Sequence, residues 1–233
     1  MVNDSTRRLG LRLPRNLVEE ASNQDTVSVA SLLVSEKAQK LYRKAMDAFQ
    51  RGRDEQAEQF LDQALLLAPE YADALTLRGF MQMQKQDLEA AQKYLEQAVR
   101  IDPGSAKAYV ALSGLYNREG RFDDALQASQ RCTLLAPRFW QGYFEMARAS
   151  LGKGMYRKAL VLARRAERLG GSSFAGLHLI KAYALYPLKF YKDARYEVRT
   201  VLARSPKSKN AKEAATLLAQ IDAAMGTEIA AAK

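Results

Sequence analysis

Small and apolar residues recur along this chain with a period of 34. The most regular series is Ala57, Ala91, Ala125, Ala159 and Ala194, spaced by 34, 34, 34 and 35. A second series, Ala64, Ala98, Cys132, Ala166 and Val201, keeps step with it, and Pro69, Pro103, Pro137 and Pro206 form a third. Three registers that agree over five periods mark an internal repeat. Within a period the apolar and small positions fall three and four residues apart, as they do along one face of a helix. In the second period Leu75, Gly79 and Gln82 mark a first helix, and Ala91, Leu95 and Ala98 a second.

The register predicts five helical hairpins, 38–71, 72–105, 106–139, 140–173 and 174–208, the last with one extra residue. Each pairs a helix A with a helix B. Ala45, Gly79, Ser113 and Ala147 at position 8 oppose the alanines of position 20, and only small side chains let two helix axes approach closely there. Gly52, Gly120 and Gly154 stand where helix A ends, and glycine permits the left-handed cap that closes a helix. The late proline stops helix B. The fifth hairpin departs: Lys181 takes the small position, and Pro187 interrupts its helix A. Gly171 replaces the proline of the fourth. Outside the repeats, 1–37 reads as a partly disordered extension, and an apolar stretch around Val27–Val34 precedes the first hairpin. A C-terminal capping helix is predicted over 209–225, opened by a capping box of Asn210 and Glu213. Residues 226–233 read as a frayed tail.

Leu or Tyr at position 4 (Leu41, Leu75, Tyr109, Tyr143, Leu177), a small residue at 8, Ala at 20 and Pro at 32 resemble the tetratricopeptide repeat (TPR) over 38–208. The resemblance implies an all-α, right-handed superhelical solenoid of about five TPR hairpins with a C-terminal cap. It also implies a non-enzymatic scaffold or adaptor that holds a segment of a partner protein in the concave groove lined by helix A. By that pattern the groove residues are Tyr42, Met46, Phe49, Phe80, Met83, Lys107, Val110, Asn117, Phe144 and Arg148, with Arg118 beside them. Of the Lys, Asn, Asn, Lys and Arg that clamp a terminal carboxylate in one TPR subtype, only Lys107 is matched. Tyr42, Met46, Leu77 and Ala111 fill the other places, so that mode is disfavoured.

Charge adds a second possibility. The chain of 233 residues carries a net +10, and the excess is one-sided. Residues 1–105 hold 14 basic and 16 acidic residues, whereas 106–233 hold 22 and 10. Arg157, Lys158, Arg164, Arg165, Arg168, Lys189, Lys192, Arg195 and Arg199 interleave with Tyr183, Tyr191 and Tyr196 in the last two hairpins. Such a surface suits an acidic partner, nucleic acid or another polyanion. The expected partner is therefore a protein segment with an apolar anchor and acidic residues, with nucleic acid the alternative.

No catalytic constellation stands out. His178 is the single histidine, without a marked nucleophile or orienting carboxylate, and reads as a groove or surface side chain. Cys132 falls in the alanine series and reads as a small core residue. One cysteine and one histidine do not make a usual zinc site, and Gly152-Lys153-Gly154 lacks the rest of a phosphate loop. No cofactor or enzymatic activity is expected. The N-terminal Arg7-Arg8 pair is followed by Arg12, Pro14 and Arg15 instead of an apolar run, and no apolar stretch is long enough to span a bilayer. These features suggest a cytoplasmic protein. The oligomeric state is left open.

Overall fold

The computed structural model describes residues 34–231. They form eleven α-helices and one short 3-10 turn. In chain order the helices are α1 (Glu36–Gln50), α2 (Asp54–Leu67), α3 (Ala72–Lys85), α4 (Leu88–Ile101), α5 (Ala106–Glu119) and α6 (Phe122–Leu135). They continue with α7 (Trp140–Gly152), α8 (Tyr156–Arg168), α9 (Ala175–Leu185), α10 (Tyr191–Arg204) and α11 (Lys209–Ala231). Successive helices pair within the predicted hairpins, except that α1 starts two residues before 38. Ser35 makes that start, its Oγ accepting from the Ala38 amide at 3.4 Å. The extension before residue 34 lies outside the described residues.

The chain divides into two compact bodies. The first contains α1 to α4, α5 as far as Tyr116, and Gln127–Phe139. The second contains Asn117–Leu126 and the chain from Trp140 onward.

The turn between helices A and B is the same in all five hairpins. Gly52, Gly120 and Gly154 have φ of 75°, 75° and 73°. Gln86 and Lys189 take the equivalent place at 69° and 63°. The left-handed cap is thus a requirement of the turn, which two hairpins meet without glycine. Lys189 lies 35 residues after Gly154, so the extra residue of the fifth hairpin precedes the cap. It lies in the turn between α8 and α9, where Phe174 N bonds Gly171 O as Phe139 N bonds Ala136 O 35 residues earlier, and the α9 that follows has 11 residues against 13 to 15 for the other A helices.

Each B helix of the four hairpins lying wholly in one body buries one stripe. The stripe is Ala57, Leu61 and Ala64 on α2, and Ala91, Leu95 and Ala98 on α4. It is Ala159, Ala163 and Ala166 on α8, and Ala194, Val198 and Val201 on α10. The later A helices are enclosed far more completely, with eleven of thirteen residues of α7 and ten of eleven of α9 buried, whereas the first, α1, buries five of fifteen. At the A–B crossing of the second hairpin, a Cβ on Gly79 would stand 2.6 Å from Leu95 Cγ.

The two departures in the repeat have local explanations. Lys181, read at the small position, lies beside it, because the extra residue before α9 brings the buried Ala182 there; Lys181 is itself buried and lays its Nζ 2.8 Å from Glu167 Oε1 and 2.9 Å from Glu197 Oε1. Gly171 opens the turn Gly171–Ser173, where a Cβ would meet Leu177 Cδ1 at 2.5 Å and Trp140 Cε3 at 2.9 Å. Proline would not fit.

Two expectations at the C-terminus are corrected. Helix α11 begins at Lys209, so Asn210 lies inside its first turn and is not the cap of a capping box. The helix also continues through Ala231, well into the stretch read as a frayed tail. Ala-rich sequence favours helix, and Gly226 alone is too weak a stop. Ala211, Ala214, Leu217 and Ile221 are the buried face of α11, which packs on α9 and α10.

Candidate partner-binding faces

In the first body, the residues read as groove-lining come from α1, α3 and α5. Tyr42, Phe49, Phe80, Met83 and Val110 are buried, and Met46 and Lys107 are half-buried. Phe49 and Phe80 meet edge to face with centroids 5.8 Å apart, and Tyr42 meets Tyr71 at 5.1 Å. Apart from Met46 and Lys107, little of these side chains meets solvent. They belong to the packed body.

Polar groups stand among them. Burial pushes the Tyr42 hydroxyl far above its ordinary range, with Asp73 and Tyr71 adding to the shift. Tyr71 is raised well above the ordinary tyrosine range, chiefly by its own burial. Burial also raises the Asp73 carboxyl, while the Lys107 ammonium pulls it down and Asp102 pushes it up. Lys107 is thus already within the field of a carboxylate.

In the second body, Asn117, Arg148 and Phe144 are brought together around a residue that the sequence reading missed. Glu145 is fully buried, and its carboxylate accepts from Asn117 Nδ2 at 2.7 Å and from an Arg148 terminal nitrogen at 2.9 and 3.1 Å. Asn117 also donates to the Glu145 carbonyl at 3.0 Å. The Arg148 guanidinium lies 5.9 Å from the Phe144 ring centre. Arg148 was read as a groove residue, and its charge is balanced at the spacing i, i−3 on its own helix. Arg118 is half-buried.

His178 is not a surface histidine. It is buried, its Nδ1 lying 2.6 Å from Glu197 Oε2 and its Nε2 3.1 Å from a terminal nitrogen of Arg204. Arginine can only donate, so Nε2 accepts and Nδ1–H donates to Glu197. Burial would raise the Glu197 carboxyl, but hydrogen bonds from His178 and Lys181 and the Lys181 charge outweigh it and hold Glu197 below the usual range. The group ties α8, α9 and α10 together. Cys132 is fully buried, as a core residue would be. Among the described residues no helix is long and apolar enough to cross a membrane.

Two family models, both described as tetratricopeptide repeat, match residues 42–106 and 82–138. Residues 42–138 are tetratricopeptide repeats. TPR proteins are in general non-enzymatic scaffolds for protein–protein interaction, and that is the level at which function follows from the family. No curated protein matches the sequence. Among solved structures, the thermophilic TPR protein TTC0263 of Thermus thermophilus is similar with a TM-score of 0.65 at 18% identity, over 78% of this chain and 98% of that one. Pseudomonas aeruginosa pilF gives 0.65 at 19%, over 80% and 89%. PilW, described as a widely conserved type IV pilus biogenesis factor, gives 0.66 at 18%, over 84% and 94%. At such identities the likeness speaks for the fold alone. It is the TPR solenoid fold that the repeat pattern implied.

Proposed function

We propose that this TPR protein is a non-catalytic adaptor that holds a segment of a partner protein against the A helices of its first body. The observation that carries the reading is the difference between its helices. A helix buried along one stripe, such as α4, serves its own hairpin. A helix buried on most sides, such as α3 with nine of fourteen residues buried, is built to meet protein beyond it. The floor would be Tyr42, Phe49, Phe80, Met83 and Val110, with half-buried Met46 and Lys107 as the side chains a partner touches first. An apolar anchor would seat on Met46, whose flexible thioether adapts to irregular shapes. A carboxylate beside the anchor would compete with Asp73 for Lys107. In the second body Asn117, Arg118, Phe144 and Arg148 would contribute a polar contact of their own, with Glu145 setting the Arg148 geometry. A cytoplasmic location is part of the proposal.

The test is capture of partners by the intact chain and by Met46→Glu, followed by titration at two salt concentrations. The reading expects Met46→Glu to lose the partner while Lys107→Ala weakens it mainly at low salt, since exposed charges are screened within roughly 10 Å at 0.1 M. Retention of the same partners by Met46→Glu would contradict it.

A further inference from the structure

The side of each B helix opposite its buried stripe is its outward face. On α4 that face carries Glu89, Lys93, Glu96 and Arg100, and Lys93 bonds Glu89 one turn away at 2.8 Å. This is an ordinary solvated face of mixed sign, neutralised within itself. On α2 the same places carry Glu55 and Asp62.

The last two hairpins differ. On α8 the face reads Arg157, Val161, Arg164 and Arg168, at spacings of 4, 3 and 4. These four residues share one side of the helix, directly across from Ala159, Ala163 and Ala166. The single acid of α8, Glu167, is engaged by Lys181. On α10 the equivalent places hold Lys192, Tyr196 and Arg199, across from Ala194 and Val198. All seven side chains are exposed, and among the described residues none of the five cations makes an ion pair. Like charges a turn apart repel, so this arrangement costs folding stability with no return inside the molecule. At the centre of the two rows stand Val161 at 64% and Tyr196 at 70% exposure. Lys181 bridges Glu167 of α8 and Glu197 of α10, which holds the two rows in a common frame.

We infer that this face docks on an anionic lipid surface. Five uncompensated cations call for a polyanion. The central apolar pair decides which one. A nucleic-acid strand takes phosphate contacts plus a succession of stacking aromatics, and here a single aromatic is available while Val161 has nothing to stack on. A bilayer surface satisfies both features: the headgroups meet the guanidinium groups, and Val161 and the Tyr196 ring enter the boundary beneath them. The contact is peripheral and needs no spanning helix. It shares no residue with the proposed partner site of the first body.

The experiment is co-sedimentation of the full chain with vesicles of phosphatidylcholine, with and without phosphatidylserine. The variants are Arg164→Gln, the pair Arg164→Gln/Arg199→Gln, Tyr196→Ser, and Met46→Glu as a groove control. Thymidine oligonucleotide and polyglutamate serve as competing probes. All the substituted residues of this face are exposed, and circular dichroism checks that the variants fold. The inference expects binding only to vesicles containing phosphatidylserine, falling about fivefold for each cation removed, as about 1 kcal/mol per cation at the surface implies. Tyr196→Ser should weaken binding without altering its salt dependence, and Met46→Glu should leave it unchanged. Absence of binding to the anionic vesicles, or binding indifferent to these substitutions, would overturn it. So would binding of the oligonucleotide or of polyglutamate through the same arginines in preference to vesicles. Retention of partner capture by Met46→Glu, with vesicle binding intact, would count against the groove reading alone.

Discussion

Gly79 and Leu95 face each other across the second hairpin so closely that a Cβ on Gly79 would stand 2.6 Å from Leu95 Cγ and 3.2 Å from the Ala91 carbonyl. Leu95 is fully buried and cannot swing into solvent. Gly79→Ala should therefore overpack the crossing and destabilise by about 1–3 kcal/mol, and Ala91→Leu by a similar amount. Because both act on one crossing, the double variant should depart from additivity. Urea melts of the three variants measure this, and an unchanged midpoint for Gly79→Ala would contradict the crossing.

The recurring left-handed cap gives a cleaner test of backbone effects. Gly120 has φ of 75° and nothing within 4 Å of where a Cβ would stand. Gly120→Ala should cost about 1 kcal/mol from conformation alone. Gln86 holds the same turn at 69°. Gln86→Gly relieves that strain but frees the unfolded chain, so a net gain below about 1 kcal/mol is expected. Thermal midpoints of opposite sign for the two substitutions would establish the pattern.

The ion group of the fifth hairpin should make stability depend on acid. Glu197 is held below the usual carboxylate range when folded, so the unfolded chain binds more protons through the acid range. Its contribution is complete above the ordinary glutamate value of about 4.3 and is lost as pH falls through the depressed folded value. Thermal midpoints followed downward from neutral pH should fall more steeply for the wild type than for Glu197→Gln. Lys181→Ala, which leaves Glu197 and Glu167 facing each other without a cation, should cost about 3–5 kcal/mol at neutral pH.

Arg148 calls for a stability control before any binding assay. Its guanidinium balances Glu145, which is fully buried. Arg148→Ala should strip a buried carboxylate of its partner and destabilise by about 3–5 kcal/mol, whereas Arg148→Ala/Glu145→Ala should recover part of that loss. Melts of the single and double variants decide the point. Equal losses in both would deny the pairing.

The hairpins were legible because their cause is local and repeated. Alanine at Ala91 or Ala159 recurs every 34 or 35 residues where two axes cross, and glycine closes three of the five caps, at Gly52, Gly120 and Gly154. The role of Lys181 was not legible, because its partners Glu167 and Glu197 lie 14 and 16 residues away on two other helices. The burial of Phe80 and Phe144 was hidden for another reason. Periodicity assigns a residue to a face of a helix but carries no information on whether that face meets solvent or protein. The Glu145–Arg148 pair was visible as an i, i+3 spacing, and only its burial turns it from a surface pair into a structural one. The basic face of α8 was counted correctly as charge. Its meaning emerged only once Glu167 was found engaged and Val161 and Tyr196 exposed.

The central claim is that the A helices of the first body receive a partner segment at Met46. The most direct measurement places a photo-crosslinking side chain at Met46, and as a control at Lys93, which is exposed on the outward face of α4. Both proteins are irradiated in the source cells. The account predicts one or a few discrete adducts with other proteins from position 46, absent from position 93 and reduced by Lys107→Ala. No adduct from position 46, or the same adducts from both positions, would contradict it.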